Sequence, residues 1–428
     1  MIKNLYNKHY KSSEFNRNVL SLMTGTTIAQ AIPIAISPIL TRIYSPEDFG
    51  VFALYMSVAL ILSVVATGRY ELAILLPKKD EEAINIVVLS IIIAICVSLI
   101  ILFIVFIFNS HITNYLGNQE ISKWLYFIPL SILLSGIFQS FNIWSNRNKR
   151  YKRLAVTSFV QSGTTSASNV GMGFSGFESS GLIYSTLIGQ TIATTFIGKQ
   201  IIDKDKNIFK KVKKLQIFAL AKRYIKFPKF LVIAHGMNAI TGQLPIILLS
   251  SMFGATIAGF YMLVQRVVRL PMNLIATSFG NVYRQKASEQ YIVHGNCRKV
   301  FMDTFKKLFL ISFIPFLIFY FISPFIFPFI FGESWRVAGE YAQILTPMFF
   351  VQFVTSPISL MFIIANKQDY DLYWQIVFLI LVLISFYISQ NIKNTLWILS
   401  IVSIFMYLVA FYYSFVLTIR KEKSEEAK

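Results

Sequence analysis

The chain has 428 residues, 55% of them hydrophobic and only 14% charged, with a mean hydropathy of +0.60. Soluble globular domains carry about 25% charged residues, so this composition excludes that class and points to a polytopic membrane protein. A formal charge of +20 invites a nucleic-acid reading, and the placement of the basic residues rules it out.

Twelve apolar runs long enough to cross a bilayer are predicted, at 19–44, 49–76, 84–108, 123–144, 154–174, 182–202, 224–252, 255–281, 308–331, 337–365, 370–389 and 395–417. With the N-terminus in the cytoplasm, 33 of the 40 Lys and Arg fall in inner segments. Four lie at outer ends (Arg42, Lys123, Arg336, Lys393) and three within spans (Arg69, Arg266, Arg269). This is the positive-inside asymmetry. The charge therefore sets topology, with both termini cytoplasmic and a secondary attraction to anionic membrane lipids; nucleic acid is not an expected partner. Cys96 sits in a span and Cys297 in an inner loop, so no disulfide is expected.

In chain order, the basic leader and the first span, with Ala29-Gln30-Ala31, imitate a signal peptide. The apolar run continues to Ile43, so an uncleaved helix is expected. Pro33 and Pro38 predict a bend in its outer half, and Gln30 is a candidate hydrogen-bond donor to substrate. Ser45-Pro46-Glu47-Asp48 is a helix-start signal: a hydroxyl cap, proline in the first turn, and acids on the positive end of the dipole.

The second span ends in Thr67-Gly68-Arg69-Tyr70-Glu71. Arg69 lies about 30 Å along a helix from Phe49, near the inner surface, where it either snorkels and packs or guides substrate inward. Glu71, two residues on, points roughly the other way on a helix, so no pairing is expected. Glu71 is a candidate proton or sodium site. The third span is apolar throughout, and 109–122 reads as the longest outer loop. The run 146–153 anchors a loop at the inner headgroups. Small and hydroxyl residues crowd the fifth and sixth spans, which reads as close helix packing.

Segment 199–230, with eleven Lys or Arg, divides the chain into two lobes, 1–198 and 231–428, joined by a basic cytoplasmic linker. An internal echo supports a repeat: Gly50 opens GVFALYMSVALILSVVAT and Gly259 opens GFYMLVQRVVRLPMNLIAT at matching places. Two six-span repeats of the same orientation are a transporter signature. In the seventh span His235, Asn238 and Gly242 share a face; His235 is either a proton relay or internally hydrogen bonded.

The eighth span carries the most informative pattern. Arg266, Arg269, Asn273, Thr277 and Asn281 follow i, i+3, i+7, i+11, i+15 and share one helix face. If the span begins near Ala255, Arg266 and Arg269 lie about 16 and 21 Å down, in the middle of a core about 30 Å thick. An arginine there costs roughly 2.5 to 3.5 kcal/mol, so something must compensate it. The face reads either as the wall of a polar cavity that takes an anion or as a seam of interhelical partners. Later, Phe331 to Arg336 reads as an interfacial turn with Trp335 as its aromatic anchor.

The chain lacks the Gly-x-x-x-x-Gly-Lys-Ser/Thr loop, the Gly-x-Ser-x-Gly elbow, His-Glu-x-x-His and Cys-x-x-Cys. No catalytic residue, metal ligand or cofactor is assigned, and the chain is not expected to be an enzyme. An integral-membrane polymerase or glycosyltransferase is the second reading, set back by short loops and isolated acids. A multidrug exporter is the third, set back by arginines where a cation carrier wants acids.

The runs LTRIYSPEDFGVFALY, GRYELAILLPKKDEEAINIVVLS, AGFYMLVQRVVRLPMNLI, FGESWRVAGEYAQILTP and PISLMFIIANKQDYDLYWQI, in this order, resemble the Wzx-type polysaccharide biosynthesis flippases. These are members of the multidrug/oligosaccharidyl-lipid/polysaccharide exporter superfamily. The resemblance implies an all-α, MATE-like fold: twelve transmembrane helices in two six-helix lobes around a central cavity. It implies movement of an undecaprenyl-diphosphate-linked oligosaccharide from the inner to the outer leaflet of the bacterial plasma membrane, for O-antigen, capsule or a related glycan. A polymerase and a chain-length regulator of the same pathway would be partners. On that reading Arg266 and Arg269 hold the diphosphate or an acidic sugar, Asn273, Gln30 and Asn238 hydrogen bond to sugar, Arg69 guides substrate, and Glu71 or His235 couples transport to H+ or Na+.

Overall fold

The computed structural model describes residues 25–420. The basic leader, the start of the first span at 19–24 and the last residues, 421–428, lie outside the described residues. Fifteen helices follow one another: α1 (Gly25–Ile43), α2 (Pro46–Ser63), α3 (Asp80–Leu116), α4 (Ile121–Leu125), α5 (Ile128–Arg147), α6 (Tyr151–Phe174), α7 (Glu178–Phe209), α8 (Lys214–Arg223), α9 (Val232–Phe253), α10 (Ala255–His294), α11 (Arg298–Phe331), α12 (Arg336–Thr355), α13 (Met361–Ile364), α14 (Gln368–Ile388) and α15 (Ile392–Val416). No β-strand occurs among the described residues. Eight helical stretches are long and apolar enough to cross a membrane. The more polar α6, α7, α10 and α12 fill the remaining four predicted spans. The chain is thus an all-α, twelve-span membrane protein.

Two compact units are present, the first ending at Gly259 and the second running from Phe260. This boundary falls inside α10. In the first unit, α1 turns at Ile36 between its two prolines, as the sequence predicts. The capping box at Ser45 is complete: its hydroxyl accepts from the Asp48 amide at 3.1 Å, and the Ser45 amide donates to Asp48 Oδ2 at 2.9 Å. The expected outer loop at 109–122 is mostly helix, because α3 continues to Leu116 past a kink at Phe108.

Segment 199–230 is no loose tether. α7 runs on to Phe209, and α8 packs on α3. There Lys211 pairs with Glu81 at 2.6 Å, Arg223 with Glu82 at 3.3 Å, and Asn85 donates to Gln216 at 3.0 Å. Leu220 joins Ile84, Val87, Trp144 and Ile201 in a buried cluster. The basic run 146–153 is likewise tied inward, with Arg147 on Asp80 at 2.9 Å and buried Arg153 near Asp205 at 3.7 Å. Lipid is as apolar as a leucine, so such polar ties add specificity that apolar contact alone cannot give within a membrane.

The small residues of α6 and α7 act as predicted at Gly189, where a side chain would strike Thr165, and at Gly173, where it would strike Ile43 and Tyr44. Gly163 and Gly171 face open space instead. The closest backbone approach lies between the starts of α2 and α10. A Cβ at Gly50 would stand 1.8 Å from the Ala255 carbonyl oxygen, and one at Gly259 would stand 1.9 Å from the Pro46 carbonyl oxygen. Both obstacles are backbone, so neither can swing aside. Gly50→Leu is expected to lower stability by at least about 1 to 3 kcal/mol, the range for overpacking. A drop in melting temperature in detergent measures this; an unchanged melt would show that the crossing opens freely.

In the second unit α12 packs on α11 and α15, and Phe309 of α11 meets Phe350 of α12 with ring centroids 5.5 Å apart; Phe305 and Phe301 of α11 stand 4.9 and 5.4 Å from Phe411 of α15. Trp335 is fully buried, edge-on to Phe260 at 5.8 Å, so it is a core residue and not an interfacial anchor. Its neighbour comes from a helix 75 residues earlier, which local sequence does not reveal.

Candidate functional site

Each unit holds charged residues within a predicted span. In the first, the predicted span 49–76 does not form one helix. α2 stops at Ser63, a turn follows, Gly68 and Arg69 both take positive φ (58° and 60°), and a 3-10 turn covers Tyr70–Leu75. Glycine enters that region freely, whereas arginine does so at a strain cost. This geometry overturns the expectation that Arg69 and Glu71 point apart. On a left-handed corner the i, i+2 pair meets, with Arg69 Nη1 3.3 Å from Glu71 Oε1.

Glu71 is 2% exposed. Thr67 Oγ1 donates a short hydrogen bond to its other oxygen. The Nε of Arg69 is buried with no partner. A second broken stretch adjoins this one: Phe227–Leu231 is a π-turn leading into α9, Pro228 lies beside Gly68, and the Tyr70 hydroxyl donates to the Ala221 carbonyl at 2.9 Å. His235, half-buried one turn into α9, is within electrostatic reach of both Arg69 and Glu71. The fold thus gathers three predicted residues, Arg69, Glu71 and His235, and adds Thr67, which sequence reasoning passed over. A carboxylate held there by a hydroxyl and a guanidinium, with an imidazole nearby, has the donor set to hold a proton or a small cation.

In the second unit the arginines lie on α10. Arg266 and Arg269 are both half-buried. Among the described residues neither forms an ion pair. The Nε of Arg269 is buried without a hydrogen-bond partner. Tyr261 and Gln265 are buried on the same stretch, four residues apart, and Gln265 Nε2 is also unpartnered. The charge of Arg269 acts on the phenols of Tyr261 and Tyr407. Asn273 and Thr277 are exposed further along. A cluster of unpartnered N–H donors and uncompensated positive charge is the chemistry of an anion site. Gln265, Tyr261 and Tyr407 were missed because their types are common in apolar helices.

The remaining candidates stand apart. Gln30 on α1 and Asn238 on α9 are exposed, with no hydrogen bond to the clusters above. Gly242, expected beside His235 on a polar face, has nothing within 4 Å of an added Cβ, so that face is open.

Residues 39–340 match a family described as polysaccharide biosynthesis protein. No curated protein matches the chain. Among solved structures, an inward-facing multidrug resistance MATE family transporter of the MOP superfamily is similar at TM-score 0.72 and 15% identity, over 94% of this chain and 96% of that one. The lipid II flippase MurJ in an inward closed conformation is similar at TM-score 0.71 and 16% identity, over 94% and 89%. A MOP superfamily transporter from Pyrococcus furiosus, described by the reverse polarity of its binding pocket, is similar at TM-score 0.64 and 14% identity, over 94% and 96%. At these identities the likeness establishes the fold.

Proposed function

The chain belongs to the polysaccharide biosynthesis protein family, and we propose that it carries an undecaprenyl-diphosphate-linked oligosaccharide from the inner to the outer leaflet of the bacterial plasma membrane by alternating access. One observation carries the reading: two membrane-embedded arginines on α10 that, among the described residues, pair with no acid. A fixed cation in hydrocarbon is retained where it meets a charge that comes and goes. A diphosphate meets that requirement. Its oxygens accept two parallel N–H bonds from each guanidinium, which a drug cation cannot do.

Arg266 and Arg269 hold the diphosphate, while Asn273, exposed one turn on, hydrogen bonds to sugar; Gln30 and Asn238 do so from other helices. The Glu71 cluster supplies the coupling step, a proton or sodium ion bound on one side and released on the other, with His235 and Arg69 tuning the carboxylate. The reading tests directly in proteoliposomes loaded with a fluorescent lipid-linked oligosaccharide. Protein-containing vesicles are expected to expose the glycan to an external glycosidase, well beyond the half initially outside; protection equal to that of empty vesicles would refute it.

A further inference from the structure

A second lipid-shaped feature lies on the other side of α10. Along α11, Lys299, Asp303, Lys307, Ile311, Pro315 and Phe319 recur every four residues, so they form one continuous ridge. The ridge lines two hollows between α10 and α11. The inner one, about 320 Å³, is walled by Lys286, Lys299 and Lys307 with Asp303, and floored by Phe279 and Val282. The outer one, about 280 Å³, is almost wholly apolar, with Val267, Pro271 and Ile275 of α10 facing Ile311, Pro315 and Phe319 of α11. Ile275 and Phe279, the nearest lining residues of the two hollows, are four positions apart, about 6 Å along the helix.

The polarity of this groove changes at the right depth. α10 has 40 residues and so spans about 60 Å, twice a hydrocarbon core of about 30 Å. Its residues from Phe279 onward therefore reach the inner headgroups while Val267 to Ile275 remain in hydrocarbon. Among the described residues the three lysines make no ion pair, although Asp303 stands among them. With Asp303 set against the three lysines, the hollow keeps a net charge of about +2.

We propose that this groove holds one anionic phospholipid of the inner leaflet, its phosphate among Lys286, Lys299 and Lys307 and an acyl chain along the apolar hollow. Lysines suit a phosphate as compact point charges. The occupant is a bulk lipid rather than the glycan carrier, because Lys286 stands about 160° round α10 from Arg266. The inner hollow also has room for a phosphate headgroup and not for an oligosaccharide behind it. The site is independent of the transport reading, and its test does not depend on it.

The test is native mass spectrometry of the full chain in detergent, titrated with phosphatidylglycerol, phosphatidylcholine, glycerol phosphate or undecaprenyl diphosphate. Wild type is expected to retain phosphatidylglycerol over phosphatidylcholine. Each surface lysine is worth about fivefold in binding an anionic lipid, so K286Q/K299Q/K307Q should bind it about a hundredfold more weakly with an unchanged melt. I311W, which fills the apolar hollow at an exposed position, should weaken phosphatidylglycerol binding with the lysines intact. Equal retention by the triple variant overturns the proposal, as does equal affinity for phosphatidylcholine. Binding of glycerol phosphate as tight as that of the lipid would make this a soluble-phosphate site, and preference for undecaprenyl diphosphate would make it a carrier site; either overturns the assignment.

Discussion

Replacing Arg266 and Arg269 together by alanine is expected to leave the protein in the membrane and to abolish surface glycan assembly. A charge-assisted hydrogen bond is worth about 1.5 to 3 kcal/mol, so losing two slows transport by roughly two to four orders of magnitude. The stability readout separates this from a structural role. Breaking a buried ion pair costs about 3 to 5 kcal/mol, because the orphaned partner remains. Here, among the described residues, there is no acidic partner to orphan, so the double variant should melt no lower than wild type. R266K/R269K keeps the charges and loses the forked geometry, and should fall between the two. Full surface glycan in the alanine variant would sink the assignment.

Glu71 gives the second large effect, and two substitutions divide it. Glu71→Ala removes the acceptor of both the Thr67 hydroxyl and the Arg69 guanidinium within a buried corner. Arg69 retains 17% exposure, so the destabilisation should lie near the lower end, about 3 kcal/mol. Glu71→Gln keeps the shape and one acceptor oxygen, which can face Arg69 while the amide NH2 turns to the Thr67 hydroxyl oxygen, and it loses the titratable charge. That variant is expected to fold and to reach the membrane, yet to show no acceleration of flipping when a proton or sodium gradient is imposed across vesicles. A wild-type response to either gradient would remove Glu71 from the coupling step.

Eight of the spans were legible because each is a long apolar run, and hydropathy reports length and composition directly; the more polar α6, α7, α10 and α12 showed as weaker runs between them. The Ser45 cap was legible because its partners are three residues apart. The break in the second span was not. Val64, Val65 and Ala66 continue the apolar run, so hydropathy passes straight over the turn, and the only local signal is Gly68. Missing the turn also misread the relation of Arg69 to Glu71, since i, i+2 pairing depends on leaving the helix. Trp335 was misread because its burial depends on Phe260, far away in sequence. The stripe on α10 was legible because i, i+3, i+7 spacing lies on one helix. The lysine groove was not, because its members divide between two helices and each lysine was already accounted for as a topology signal.

The glycine crossing between α2 and α10 is reciprocal in register: Gly50 meets residue 255, four before Gly259, and Gly259 meets residue 46, four before Gly50. Two copies of one sequence produce such exchange across a twofold axis, where residue i touches j′ and j touches i′. A wedge on either side therefore parts the same two strands of backbone, and a second wedge finds the gap already open. The damage from Gly50→Ala and Gly259→Ala should be strongly non-additive, the signature of two half-sites sharing a single seam.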